Sequence, residues 1–243
     1  MFFMPRTARI VIPEIPHHVT QRGNNRQAVF FVDDDRRAYL GILAEETAAA
    51  NVAILGFCLM TNHIHLIATP HRANALARAI GRVHFRYAQY INRRHNRSGH
   101  LWQNRFFSCP LGQHHFLRAM RYVERNPVRA SIATLAWEYP WSSAAVHVGQ
   151  AMPQNFPKDL ISTTGFKPSP EAWQAFLRHA DDSRDITTLR RAHANRQANG
   201  RRQHHEQIRE TCRATSAGTA ARQATKRYDN LTRKCTAHRT PRI

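Results

Sequence analysis

His63-Ile64-His65 stands inside an apolar stretch, and two histidines spaced this way can act as a pair. In a strand, residues i and i+2 leave the same face, so both imidazoles project together while Ile64 points into the core. Two neutral imidazoles side by side suit a divalent metal. Ordinary surface histidines are the plain alternative in a chain that has 16 of them. A second group is Tyr122-Val123-Glu124-Arg125-Asn126. On one helix, Tyr122 and Asn126 would lie a turn apart on a single face. A phenol beside an oxygen donor can attack a phosphate that a metal polarises. A helical tyrosine more often packs at the core boundary, but the other candidates fit worse. Tyr87 and Tyr90 have Ile91 and Arg94 four residues on, neither a metal ligand, and Tyr228 stands in a segment poor in apolar residues.

These groups need elements to hold them. Arg9–Gln21 reads as a strand that Pro13 and Pro16 confine to an edge or a bend. The turn formers of Arg22-Gly23-Asn24-Asn25-Arg26 follow. Asp33–Ala50 predicts a helix, with three aspartates in its first turn, where they favour the helix dipole. Val52–Met60 has the length of a buried strand, and His63–Ala68 alternates at period two, so Thr61-Asn62 closes a hairpin. Ala73–Arg94 predicts a second helix, His100–Phe107 a further strand, and His114–Arg125 a third helix that Pro127 ends. This order predicts an α+β fold of the ferredoxin-like split β-α-β type, an antiparallel sheet with helices on one face. Such a fold decides nothing about function by itself.

Charge narrows the partners. Lys and Arg number 36 against 16 Asp and Glu, a net charge of +20 with a sequence pI near 11.3. That balance points to a polyanion, because each basic group that meets a phosphate releases a counterion. Lysine occurs only at Lys158, Lys167, Lys226 and Lys234. Arginine forks contact phosphate and guanine and stack on bases, as an ammonium cannot; a GC-rich genome would enrich arginine as well. No apolar run approaches the ~18–20 residues of a membrane helix. Met1–Ile10 is short and broken by Pro5, Arg6 and Arg9, unlike a secretory signal, so a cytoplasmic, nucleoid-associated protein is expected. Cys58, Cys109, Cys212 and Cys235 form no finger-like spacing, which argues against a structural zinc site. Three parts are expected: a main domain over 1–150, a helical extension over 151–191 with a helix across Glu171–Arg191, and a basic tail over 192–243. Large apolar residues nearly vanish from that tail, so it is expected to be disordered.

Four motifs give the chain a family resemblance. They are Pro16-His17-His18-Val19-Thr20-Gln21-Arg22-Gly23-Asn24-Asn25-Arg26, Met60-Thr61-Asn62-His63-Ile64-His65-Leu66, Leu101-Trp102-Gln103-Asn104-Arg105-Phe106 and Tyr122-Val123-Glu124-Arg125-Asn126-Pro127-Val128-Arg129-Ala130. In this order they resemble the HUH single-strand DNA endonucleases, and more narrowly the IS200-like Y1 transposases in their REP-associated branch. The resemblance ends before residue 192; the tail continues no family pattern. It implies that Tyr122 attacks a phosphodiester of single-stranded DNA, leaving a 5′-phosphotyrosine and a 3′-hydroxyl. It also implies Mg²⁺ or Mn²⁺ held by His63 and His65, with Asn126 where relatives carry an amide ligand. Imidazole with amide oxygen suits manganese better than magnesium. Implied substrates are palindromic repeats that fold into hairpins beside a short single strand. Arg22, Asn24, Asn25, Arg26, Trp102, Gln103, Arg105 and Arg129 are the candidate DNA contacts, with Trp102 equally suited to a core position. Either a monomer or a homodimer is compatible, since some relatives complete the site with a partner's tyrosine helix.

Three other readings stand beside this one. A hairpin-binding protein that has lost cleavage would keep the arginines without needing Tyr122, His63 and His65 together. An RNA-binding module of the same fold would show adjacent strand aromatics, which this chain lacks. A phosphohydrolase using water would need carboxylates near His63 and His65, and the hairpin supplies none.

Overall fold

The computed structural model describes residues 11–151, 156–179 and 187. Strands β1 (His17–Arg22), β2 (Val52–Met60), β3 (His63–Pro70) and β4 (Phe107–Pro110) form an antiparallel sheet in the order β2-β3-β1-β4. Helix α1 (Asp33–Ala50) crosses from β1 to β2, and α2 (Ala75–Arg94) from β3 to β4. This is the split β-α-β arrangement that the hydrophobic pattern predicts. Of the aspartates at the start of α1, Asp35 caps the helix, while Asp33 and Asp34 pair with Arg36 and Arg37. Phe31 and Val32 donate their N–H groups to the Asp35 carboxylate at 2.8 and 3.1 Å, which satisfies helix-end donors. On α2 the buried residues Ala75, Leu76, Ala79, Ile80, Val83, His84, Tyr87 and Ile91 recur at helical spacing, and this stripe packs against α1.

Strand alternation gives the sheet two unlike faces. Val19, Leu66 and Phe57 stand in register, as do Gln21, Ile64 and Leu59, and this apolar face lies under α1 and α2. His18, Thr20, Arg22, His63 and His65 occupy the opposite face. Helix α3 (Gln113–Glu124) lies across that second face, so the helices cover both faces of the sheet rather than one as expected. Its own buried Phe116, Ala119, Met120 and Val123 need a partner surface, which β2 and β3 offer there. Gly56 permits its close approach, because a Cβ there would come within 2.8 Å of the Met120 methyl. Short helices α4 (Asn126–Arg129) and α5 (Ala144–His147) follow, then α6 (Pro170–Arg178). The outer edge of β2 is closed by backbone bonds: Leu59 N–H to the Trp141 carbonyl, Ser143 N–H to Phe57, and Ser162 N–H to Ile54. Phe156, Leu160, Phe166, Trp173 and Leu177 are buried in the same core as the sheet.

Four boundaries differ from expectation, each for a local reason. β1 begins at His17, since Pro13, left-handed Glu14 (φ 62°) and Pro16 make residues 12–16 a turn. β4 spans Phe107–Pro110 rather than His100–Phe107: Trp102 forms only an isolated bridge with Gly23, and Asn104 turns left-handed (φ 57°). α3 stops at Glu124, and Pro127 lies in the first turn of α4, where its missing N–H costs nothing. Tyr122 and Asn126 therefore sit on successive helices rather than on one face of one helix. The helix expected over Glu171–Arg191 is α6; the residues from 180 on, Thr187 excepted, lie outside the described residues, as does the tail expected over 192–243.

Candidate active site

His63 and His65 project from β3 with ring centroids 5.1 Å apart. Their common direction follows from strand periodicity, and α3 brings Tyr122 to the same place. The Tyr122 ring meets His65 edge-on at 5.7 Å and His18 edge-on at 6.0 Å. His18, on neighbouring β1, stacks on His65 at 5.1 Å, and its Nε2 lies 3.0 Å from His65 Nδ1. One proton must lie between those nitrogens; when His65 supplies it from Nδ1, its Nε2 carries a lone pair. Arg129 on α4 places its guanidinium 4.0 Å from the Tyr122 ring centroid and donates to the Tyr122 carbonyl at 2.6 Å. Its contact here is with the tyrosine. Asn126 is buried, and its Nδ2 finds no hydrogen-bond partner.

The other described tyrosines are differently occupied. Tyr87 is fully buried and donates its hydroxyl to the Val29 carbonyl; burial raises its phenol far above the ordinary range. Tyr139 donates to the Leu59 carbonyl, and burial pushes it up to about 12. Buried Tyr39 bonds to His84 Nε2, and Tyr90 stacks on Tyr87 and lies under Arg94. Among the described residues only Tyr122 shares the histidine face.

Two loops flank this cluster at one end of the sheet. Residues 22–26 and 101–104 run side by side: Asn24 N–H donates to the Leu101 carbonyl, Gln103 N–H to Arg22, and Gly23 bridges Trp102. Buried Gln21 fixes the pair by donating Nε2 to the carbonyls of Gln103 and Asn104. Gly23 is required there, because a Cβ would fall 2.2 Å from the Gln27 carbonyl oxygen. Arg22, Asn25, Arg26, Gln103 and Arg105 are exposed, and Asn24 is half-buried. Trp102 packs among Tyr39, His84 and Tyr87 and donates its indole N–H to the His84 carbonyl, the core position that its residue type also suits.

Burial pushes the His63 imidazole down to about 4, and the charges of Arg22 and Arg129 act in the same direction. At neutral pH His63 is therefore uncharged, the form that donates to a metal. Among the described residues, no three His, Cys, Asp or Glu side chains gather into a metal-holding group. An ion here would draw on His63 and His65 and would need oxygen donors from an amide or a bound phosphate. Two residues escaped the sequence reading. His18 was visible only as one of two adjacent histidines, and strand parity shows which of them faces Tyr122. Its neighbour His17 turns away: it takes a hydrogen bond from Ile12 N–H on Nε2, and its Nδ1 lies 2.7 Å from the Ile15 carbonyl. Asn62 looked like a turn former alone.

Known proteins share the sequence pattern of part of this chain and its fold. Residues 12–126 match the sequence family described as transposase, IS200-like. No curated protein matches the chain in sequence. A REP-associated tyrosine transposase solved in complex with a REP hairpin shares the fold, with a TM-score of 0.52 and 14% identity over 66% of this chain and 96% of that one. A candidate transposase from Deinococcus radiodurans R1 aligns at 19% identity and a TM-score of 0.35, over 50% of this chain and 97% of its own. Among the described residues no helix is long and apolar enough to cross a membrane.

Proposed function

We propose that this IS200-like transposase domain cleaves and rejoins single-stranded DNA beside a hairpin, with Tyr122 as nucleophile. One observation carries the reading: Tyr122 is the single described tyrosine on the histidine face, within 6.0 Å of His18 and His65 ring to ring. Its phenolic oxygen would attack the scissile phosphorus, forming the tyrosyl ester as the bond to the 3′ oxygen breaks. The phenolic proton leaves to solvent or base, and the 3′ oxygen departs as a hydroxyl. Because the ester keeps the energy of the broken bond, a 3′-hydroxyl can later reverse the step without ATP. Mg²⁺ or Mn²⁺, bound through His63 and His65 with the Asn126 amide as a candidate third donor, would draw charge from the phosphate oxygens. The in-plane lone pair of neutral His63 supports that donor set.

The hairpin bound to the structural neighbour supports a hairpin substrate here, as does the net charge of +20. Arg22, Asn24, Asn25, Arg26, Gln103 and Arg105 line the two loops beside the cluster, where unpaired nucleotides next to a hairpin would reach Tyr122. A cytoplasmic, nucleoid-associated setting follows from that substrate. The test is incubation with end-labelled hairpin DNA and Mn²⁺, followed by denaturing electrophoresis. A covalent adduct is expected, and His63→Ala should reduce it at least about 100-fold while hairpin binding stays within a few-fold, since arginines carry the affinity. Cleavage with no adduct at any time would point to a water-using hydrolase instead.

A further inference from the structure

Asn62 occupies the turn between β2 and β3, and its side chain makes two bonds in opposite directions. The Nδ2 atom lies 3.0 Å from the Arg26 carbonyl oxygen, and Oδ1 lies 2.7 Å from His63 Nδ1. The chemistry of these partners fixes every proton. A carbonyl only accepts, so the NH₂ end of the amide must face Arg26. The oxygen end then faces His63 and can only accept, so His63 must carry its proton on Nδ1. Its lone pair is thereby left on Nε2.

The loop end of the link is under strain. Asn25 (φ 51°, ψ 28°) and Arg26 (φ 61°) are consecutive left-handed residues, and an arginine in that region costs free energy that neighbouring bonds must offset. Asn62 supplies two of them, since its carbonyl also accepts the Gly23 N–H at 2.8 Å.

We infer that Asn62 is a positioning residue that fixes the His63 tautomer and ties this histidine to the DNA-facing loop over residues 22–26. The metal consequence rests on the function proposed above; the tautomer and the loop tie rest on the hydrogen bonds alone. A single strand seated on that loop and a group bound at His63 would each favour the same Asn62 orientation, so each would strengthen the other.

The test uses the full chain, ¹⁵N-labelled, at pH 7. Imidazole ¹⁵N shifts should report His63 as the Nδ1–H tautomer. Asn62→Ala should shift it towards Nε2–H, weaken Mn²⁺ binding by roughly 10–100-fold, and speed amide exchange over residues 23–27 by about five- to tenfold. Asn62→Asp separates the two bonds, because a carboxylate still accepts from His63 but donates nothing to Arg26. That variant should keep the wild-type tautomer and still show the faster loop exchange. A purely space-filling asparagine would leave the near-isosteric Asp variant unchanged in both. An unchanged tautomer in Asn62→Ala, or unchanged loop exchange in Asn62→Asp, overturns the inference. Wild-type protein that takes up no Mn²⁺ strikes the metal reading instead, and the two NMR measurements still decide the role of Asn62.

Discussion

Tyr122 differs from Tyr39, Tyr87 and Tyr139 in that no hydrogen bond to a backbone carbonyl or buried imidazole holds its hydroxyl among the bonds described. Tyr122→Phe keeps the ring that Arg129 and His65 pack against, so stability should move by less than about 1 kcal/mol while the covalent adduct disappears. Tyr87→Phe should do the opposite, retaining the adduct and losing roughly 1–3 kcal/mol through the orphaned Val29 carbonyl. An adduct surviving in Tyr122→Phe would place the nucleophile elsewhere. A separate expectation concerns His17, whose burial lowers its pKa from 6.5 to about 4. Between those values the unfolded chain binds the extra proton and the folded chain refuses it, so stability is full above pH 6.5 and falls with pH. Urea unfolding should show His17 costing roughly 2 kcal/mol between pH 7 and pH 5, and His17→Gln should remove that share of the slope. Tyr122, chosen by a helical spacing to Asn126 that the structure divides between two helices, still comes to the face of His63 and His65. Residue types and period-two spacing singled out those two histidines as a candidate pair. They could not separate His17 from His18, because that needs the strand's register, nor reveal Asn62, whose partner Arg26 is distant in sequence and meets it only through the loop's left-handed backbone.

Helix α3 owes its position to elements on both sides. Met120 rests over Gly56, and buried Glu124 accepts from the Ser143 hydroxyl at 2.6 Å and the Trp173 indole N–H at 2.8 Å, with His147 Nδ1 also against it. Arg121 and Arg125 donate to the backbone carbonyls of His179 and Leu177. The tyrosine helix is thus fastened to the C-terminal elements of its own molecule, and its ring already meets that molecule's histidines. Tyr122 should therefore act within one chain: mixing Tyr122→Phe with His63→Ala protein should yield no more adduct than either variant alone. Adduct near a quarter of the wild-type amount would show that the helix exchanges between copies. The hydrophobic pattern gave α1, α2 and the β2–β3 hairpin almost to the residue, since those segments are long and strongly periodic. It misplaced β4 because Leu101–Phe106 has strand-like composition, yet Gln21 holds its backbone as a loop. It also read Pro127 as a terminator, whereas a proline serves equally to begin the next helix.

Across the whole molecule the decisive quantity is charge. Of the 36 Lys and Arg, twelve fall in residues 192–243, against three of the 16 Asp and Glu, so this segment carries +9 of the +20. Several of the remaining cations are committed within the fold: Arg82 and Arg86 pair with Glu46, Arg37 and Arg94 with Asp34. Phosphate neutralisation should therefore be divided between the loops beside Tyr122 and the C-terminal segment. Affinity for single-stranded DNA should fall with salt at a log–log slope of about −0.7 per phosphate contacted. Deleting residues 192–243 should flatten that slope and weaken binding to every DNA alike, because contacts to phosphate position without specifying. Preference for hairpin over unstructured DNA should survive the deletion, since the loops of residues 22–26 and 101–105 are intact in it. Fluorescence anisotropy from about 50 to 300 mM salt, with hairpin and scrambled strands, measures both quantities. A deletion that left the slope unchanged would put all phosphate contacts on the folded domain, and one that abolished the hairpin preference would make the basic segment a reader of DNA structure.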